Sequence, residues 1–128
     1  MRTMTVAEFK KLKKGKPRFS RSPASERTMD GVTFDSQSEL TRYLELKAMR
    51  GGRVKWFIRQ PIFDLCGVVY RADFLIVWRG TGGEEYVGVE EVKGKFTGRF
   101  RQEALRRWKR NAAQVQELYG IEIQLVER

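Results

Sequence analysis

The sequence predicts a single α/β domain in which a helix, three strands, a second helix and a final strand follow one another. Two stretches space their apolar residues three and four apart, which is typical of helices. The segment between them, and the C-terminal segment, contain apolar runs that alternate with a period of two and are bounded by glycine or proline. With 128 residues and a hydrophobic content of 41%, the chain can bury the core that such layers need.

Both helices have recognisable ends. The first lies within residues 34–52, with Ser36 as the predicted N-cap and two glycines after it. The second is predicted over residues 99–119, with Gly120 as its C-cap. Five residues at spacings of three and four form its predicted buried stripe: Leu105, Trp108, Ala112, Val115 and Tyr119.

The strands are predicted from β-branched and aromatic runs. Residues 54–61 form one strand, and residues 62–78 form one long strand or two short ones kinked near Gly67. The turn "RGTGGEE" then leads into a strand over residues 84–94. "IEIQLVE" alternates as a final, half-exposed strand.

Three charged residues stand inside these apolar strands. A hairpin centred on the glycine-rich turn places Trp78 opposite Tyr86 and, in the same register, Asp73 opposite Glu91. Lys93 shares the face of Glu91 because side chains alternate along a strand. Two carboxylates that face each other destabilise a sheet unless a cation lies near them.

Two interpretations account for this cluster. A divalent cation between the carboxylates reverses their repulsion, and oxygen ligands suit Mg²⁺ or Mn²⁺. Alternatively, Lys93 neutralises Asp73 and Glu91 in a structural ion cluster, and Glu90 is an edge-strand charge that opposes aggregation. The absence of histidine excludes His-based acid–base and nucleophilic chemistry, so catalysis here would depend on carboxylates, lysine and a hard metal ion.

The motifs "YRADF" and "EEVKG" resemble the active-site motifs of the PD-(D/E)xK nuclease superfamily. The resemblance implies a restriction-endonuclease-like αβββαβ core with a central mixed sheet flanked by helices. It places Asp73, Glu91 and Lys93 at the catalytic positions, and Glu39 of "FDSQSE" at the position of the helical acid. It further implies that Asp73, Glu91, the Val92 carbonyl and Glu39 bind Mg²⁺, with Mn²⁺ as a substitute. The proline of the family signature is missing, but that proline carries no chemistry.

More narrowly, residues 31–126 are similar to small phage-type Holliday junction resolvases. This similarity implies a metal-dependent endonuclease that cuts branched DNA as a homodimer in the cytoplasm, the bacterial host's if the protein is phage-encoded. Two alternatives stay open: a catalytically silent nucleic-acid-binding module, and a nuclease for flaps, forks or plain duplex DNA.

Glu39 has a second interpretation of its own. Ser36 and Glu39 have the spacing of a capping box, in which the glutamate bonds the backbone of the serine. Glu39 also lies on the helix face of Tyr43 and Leu46, which is expected to face the sheet. With the resemblance, the site interpretation is favoured.

The net charge of +10 and the pI near 10.1 indicate a polyanionic partner, with nucleic acid favoured over membrane. Residues 1–29, with nine basic residues against two glutamates, form a predicted basic arm, either a solvated tail or a grip on phosphates. Residues 30–128 form the predicted nuclease domain. The candidate DNA-binding residues are Lys10, Lys11, Lys13, Lys14, Lys95, Arg99, Arg106 and Arg110.

The sequence also indicates a compartment. The single cysteine, Cys66, cannot form an intrachain disulfide, which favours the cytosol. No apolar run is long enough to cross a bilayer, and the basic N-terminus lacks the apolar region of a signal peptide.

Overall fold

The computed structural model describes residues 22–94 and 99–128, apart from the side chains of residues 99–101. The chain divides into two compact units, and the boundary lies between Gln37 and Ser38. The described part of the first unit contains a 3-10 turn, Ala24–Arg27, and a short antiparallel hairpin of β1 (Thr28–Met29) and β2 (Val32–Thr33).

Arg27 is buried within this first unit. Its Nε donates a hydrogen bond to the carbonyl of Ser22 at 2.7 Å, and its guanidinium also donates to the carbonyl of Phe34. The Phe34 amide donates in return to the Arg27 carbonyl at 2.9 Å. Arg27 lies within the predicted basic arm. Its guanidinium instead stabilises the fold by binding backbone carbonyls.

Both predicted helices are present. Helix α1 (Gln37–Met49) begins directly after Ser36, the predicted N-cap position. Helix α2 (Arg99–Tyr119) has the predicted bounds. It ends at Gly120, which adopts a φ of 68° and donates its amide to the Gln116 carbonyl at 2.9 Å, as a glycine C-cap does. Neither helix is long and apolar enough to cross a membrane within the described ranges.

The stripe predicted for α2 is only partly correct. Val115 is fully buried, and Leu105, Trp108 and Ala112 are half-buried. Tyr119 is 45% exposed, and its hydroxyl donates to the carbonyl of Asp64 at 2.6 Å.

A mixed sheet of four strands forms the centre of the second unit, in the order β3-β6-β7-β8. The pairs β3–β6 and β6–β7 are antiparallel, whereas β7–β8 is parallel. The strands of this unit are β3 (Val54–Arg59), β4 (Ile62–Asp64), β5 (Val69–Arg71), β6 (Phe74–Arg79), β7 (Glu85–Lys93) and β8 (Ile123–Glu127).

The prediction of one long strand or two short ones over residues 62–78 is wrong, since this stretch contains β4, β5 and β6. β4 and β5 pair with each other as a separate hairpin. Its turn is made by Cys66 and Gly67, which adopt φ values of 61° and 107°. The Cys66 amide donates to Oδ1 of Asp64 at 3.0 Å, an Asx turn that a strand-based interpretation of "DLCG" overlooks.

The predicted register between β6 and β7 is confirmed. Trp78 lies opposite Tyr86, and Phe74 lies opposite Glu90. The turn closes through the amide of Gly80, which donates to the Glu84 carbonyl at 2.7 Å. The β6–β7 ladder begins at Phe74. Asp73, the predicted partner of Glu91, is the residue immediately before this ladder.

The two helices cover opposite faces of the sheet. Val89 and Glu90 are consecutive on β7 and therefore point to opposite faces. Glu90 contacts Arg42 of α1, whereas Val89 packs in one core cluster with Val115 of α2. That cluster consists of Phe63, Leu65, Tyr70, Ala72, Val89, Val115 and Ile123.

Candidate functional site

Asp73 lies where β6 begins and β7 ends. Its carbonyl accepts the Gln60 amide at 2.8 Å, and its own amide donates to the Glu90 carbonyl at 3.1 Å. Its Oδ2 accepts the Val92 amide at 2.7 Å. The backbone and the carboxylate of Asp73 are therefore both held, on one side by the end of β3 and on the other by β7.

The Val92 carbonyl points in the same direction as the Val92 amide, toward Asp73. In a strand, the N–H and C=O groups of one residue both point toward the same neighbouring strand. The N–H and C=O groups of the next residue both point toward the strand on the opposite side. Lys93 follows this rule, since its carbonyl accepts the Arg128 amide at 3.0 Å on the β8 side. The Val92 carbonyl is therefore directed toward the end of β6, beside Asp73.

Glu91 and Lys93 share one face of β7, as predicted. Nζ of Lys93 lies 3.4 Å from Oε1 of Glu91, and the hydroxyl of Tyr70 donates to Oε2 of Glu91 at 3.0 Å. The Glu91 side chain is 15% exposed and that of Lys93 is 31% exposed. Burial, with the nearby charge of Glu91, raises the pKa of the Tyr70 hydroxyl. Tyr70 therefore stays protonated and donates a hydrogen bond to Glu91.

Glu39 reaches the same cluster from the first turn of α1. Its side chain lies close to the carboxyl group of Asp73 and acts to lower the pKa of that carboxyl. This contact favours the site interpretation of Glu39, because the side chain reaches a strand end as that interpretation requires.

The electrostatics of Asp73 are those of a crowded anionic site. Burial raises the pKa of its carboxyl above the usual range, and the negative charge of Glu91 raises it further. The Val92 amide, the charge of Lys93 and the contact with Glu39 act in the opposite direction without cancelling the shift. A proton, or a cation in its place, therefore stabilises this group of side chains.

The donor set fits a hard cation that retains water ligands. Within residues 22–94 and 99–128, no group of three or more acidic or cysteine side chains is arranged to hold a metal ion. Asp73, Glu91 and the Val92 carbonyl offer two carboxylates and one neutral oxygen. Mg²⁺ is commonly bound by one or two carboxylates and completes its octahedron with water and substrate oxygens.

Glu90 is not an edge-strand charge, because β7 lies between β6 and β8. Its two carboxylate oxygens accept hydrogen bonds from Nε and Nη2 of Arg42, each at 2.7 Å. Glu90 is 4% exposed and Arg42 is 8% exposed. The pair lies on the α1 face, so Glu90 takes no part in the cluster around Glu91.

Sequence reasoning missed Arg42 and Tyr70. The signal for Arg42 is a charged residue three positions after Glu39, among residues predicted to face the sheet. The signal for Tyr70 is weaker: a phenol three residues before Asp73, on a strand whose pairing was not predicted.

The candidate DNA-binding residues are placed only in part. Arg106 and Arg110 are exposed on α2, as are Arg107 and Lys109. The side chain of Arg99 lies outside the described residues, as do Lys10, Lys11, Lys13, Lys14 and Lys95.

Comparison of the chain with protein-family models, curated proteins and solved structures found no match.

Proposed function

We propose that the protein is a metal-dependent endonuclease of the PD-(D/E)xK type that hydrolyses phosphodiester bonds in branched DNA, most specifically in Holliday junctions. One observation carries the proposal: Glu39, Asp73, Glu91 and Lys93, from three separate segments, gather at one end of the sheet. Carboxylates brought together in this way repel one another, and a cation between them would reverse that repulsion.

The topology supports the finer fold assignment. With the β4–β5 hairpin set aside as an insertion, the remaining elements run α1, β3, β6, β7, α2, β8. This is the αβββαβ order of a restriction-endonuclease-like core, and its sheet is mixed. The candidate acid stands at the start of the second core strand, and the ExK motif stands at the end of the third.

Asp73, Glu91 and the Val92 carbonyl would hold Mg²⁺, and Mn²⁺ would substitute for it. A cation held there would supply Lewis acidity and lower the pKa of a water molecule, which gives a nucleophile at neutral pH without histidine. The half-buried Asp73 keeps its orientation through the Val92 amide.

Lys93 and Glu39 have complementary roles in this proposal. The ammonium group of Lys93 orients the attacking water or stabilises the negative charge that develops on the pentacovalent phosphorus. Glu39 positions that water or contributes to a second cation site. In-line attack by the oxygen of that water would form a new P–O bond and break the bond to the 3′ oxygen, which takes up a proton, so that the products carry a 5′-phosphate and a 3′-hydroxyl.

DNA binding and self-association complete the proposal. The exposed Arg106 and Arg110 offer contacts to phosphates on the helix that follows the ExK strand. Cutting a four-way junction symmetrically requires two active sites, and hence a homodimer. Trp56, Ile58 and Val87 lie on one face of the sheet and are about half exposed, as a contact surface between copies requires.

Cleavage of an end-labelled four-way junction with Mg²⁺, beside EDTA and a linear duplex, tests the function. We expect paired nicks with 5′-phosphates in the junction when Mg²⁺ is present. We expect no cleavage in EDTA and none of the linear duplex. Glu117→Gln, which changes an exposed acid on α2, is the matched control for Glu91→Gln. Tight junction binding without any cleavage in Mg²⁺ or Mn²⁺ would favour the silent binding module, and equal cleavage of the duplex would favour a general nuclease.

A further inference from the structure

Tyr70 brings a hydroxyl group to Glu91 from outside the four-stranded sheet. It belongs to β5, whose hairpin with β4 is an insertion between two sheet strands. The base of the hairpin is tied to the site, since the Ala72 amide donates to the Pro61 carbonyl at 3.1 Å immediately before Asp73. The hairpin thus holds the phenol at a fixed place relative to both carboxylates.

The ring of Tyr70 has little freedom to move. Tyr70 is 7% exposed and lies in the core cluster with Val89 and Val115. Its ring stacks on Phe63, with centroids 6.3 Å apart and planes 24° from parallel. A buried ring packed in this way fixes the position of its hydroxyl, so the bond to Glu91 constrains the carboxylate rather than the phenol.

Each of the two candidate ligands has one oxygen engaged by a protein donor. Oε2 of Glu91 accepts the Tyr70 hydroxyl at 3.0 Å, and Oδ2 of Asp73 accepts the Val92 amide at 2.7 Å. Oε1 of Glu91 lies 3.4 Å from the ammonium group of Lys93, a flexible point charge in whose place a metal cation could bind. The Tyr70 hydroxyl therefore leaves Oε1 as the oxygen of Glu91 that a metal cation would reach.

One-oxygen ligation discriminates between cations. Ca²⁺ takes six to eight oxygens and readily accepts both oxygens of a carboxylate, whereas Mg²⁺ requires a compact octahedron of single oxygens. We propose that Tyr70 is a positioning residue that restricts Glu91 to one-oxygen coordination and thereby makes the site select Mg²⁺ over Ca²⁺. This inference rests on the proposed metal site.

The test is Tyr70→Phe, which keeps the ring and removes the hydroxyl. Mn²⁺ binding to the full chain without DNA is followed by electron paramagnetic resonance, with Mg²⁺ and Ca²⁺ as competitors. Loss of an outer-shell hydrogen bond typically weakens metal affinity roughly 10- to 100-fold. We expect such a loss for Mg²⁺ and a smaller one, or a gain, for Ca²⁺, so that the ratio of the two affinities shifts toward Ca²⁺.

Tyr119→Phe is the matched control. It removes a phenol hydroxyl from a ring that also contacts Phe63, but that hydroxyl bonds the Asp64 carbonyl and not Glu91. The control should keep the native Mg²⁺/Ca²⁺ ratio. An unchanged ratio in Tyr70→Phe overturns the inference and leaves the nuclease proposal standing, whereas a native chain that binds no divalent cation overturns both.

A second measurement does not depend on the variant's folding. The infrared carboxylate bands of the native protein, recorded with and without Mg²⁺, can be assigned to Glu91 by comparison with Glu91→Gln. One-oxygen coordination separates the antisymmetric and symmetric stretches more widely than two-oxygen coordination does. A narrow separation for the Mg²⁺-bound Glu91 carboxylate would contradict the role assigned to Tyr70.

Discussion

Glu90 and Glu91 are neighbours on β7, and they face opposite sides of the same sheet. On the α1 side, both oxygens of Glu90 are paired with the guanidinium of Arg42, and the pair is buried. On the other side, Glu91 receives one hydroxyl bond from Tyr70 and has the Lys93 ammonium 3.4 Å away. Glu90 is saturated by protein donors, and Glu91 is not.

This difference separates a carboxylate that holds the fold from one that can bind a ligand. A planar guanidinium occupies both oxygens of Glu90 and leaves no approach for a cation. The ammonium beside Glu91 is a flexible point charge that can move to a phosphate or a water. Five predictions test the contrast, from the largest expected effect to the smallest.

The first prediction exchanges each glutamate for glutamine. Glu90→Gln leaves the buried Arg42 charge with only its longer ion pair to Glu45, 3.8 Å away, which should cost about 3–5 kcal/mol of unfolding free energy. Glu91→Gln should leave the stability within about 1 kcal/mol of native and abolish cleavage. Urea unfolding and a nicking assay on both variants measure the two effects. A Glu91→Gln protein that still nicks DNA would refute Glu91 as a metal ligand.

The second prediction concerns Lys93. Lys93→Ala should lose cleavage and keep its fold, because the side chain is 31% exposed and its contact with Glu91 is long. Circular dichroism and thermal melting monitor the fold beside the nicking assay. If the variant fails to fold, the fold requires Lys93 to neutralise the charges of Asp73 and Glu91. That result would favour the structural ion cluster over the metal site.

The third prediction is that Mg²⁺ or Mn²⁺ raises the melting temperature of the native chain. A ligand that binds only the folded state stabilises it, by about 2.7 kcal/mol at a concentration 100 times its Kd. Melting at fixed ionic strength separates this effect from screening by salt. Glu91→Gln should show a smaller rise than Glu117→Gln, and equal rises would place the cation elsewhere.

The fourth prediction is a pH dependence of stability due to Asp73. Its carboxyl has a raised pKa in the folded protein, so the folded state binds more protons than the unfolded state between the ordinary pKa of 3.8 and the raised value. The contribution of Asp73 to metal-free stability should therefore be fully present below that window and fall as the pH rises through it.

Asp73→Asn should remove this decline and raise the metal-free melting temperature at neutral pH, because an amide can accept the Val92 N–H and donate to Glu39. Asp64→Asn is the control, since Asp64 is an exposed acceptor in a turn. Parallel stability–pH curves for native and Asp73→Asn proteins would argue against the crowded anionic site.

The fifth and smallest effect concerns the basic arm. Deleting residues 1–21, which include Lys10, Lys11, Lys13 and Lys14, leaves the buried Arg27 in place. If the arm grips phosphates, the slope of log K against log salt should fall by about 0.9 for each duplex phosphate that the arm neutralises. Binding to one junction across a salt series measures it. Equal slopes for the full-length and truncated proteins would show that the arm does not contact phosphates, so that Arg106 and Arg110 would bind them instead.

Local patterns were enough for the two helices and the β6–β7 register. The α2 bounds follow from apolar spacing and a glycine cap, and the pairing of Trp78 with Tyr86 follows from a turn whose glycines allow one tight reversal. Alternation along β7 placed Glu91 and Lys93 on one face. These features depend on residues close together in the chain, which is why the sequence by itself determined them.

The tertiary structure decided what each charged group contacts. The β4–β5 hairpin depends on an Asx turn at Asp64, and its docking brings Tyr70 to a residue 21 positions away. The pairing of Arg42 with Glu90 spans 48 positions. A helix can pack on a sheet in several rotations and shifts that leave its apolar pattern satisfied, so which charges meet is settled only when the layers are packed together.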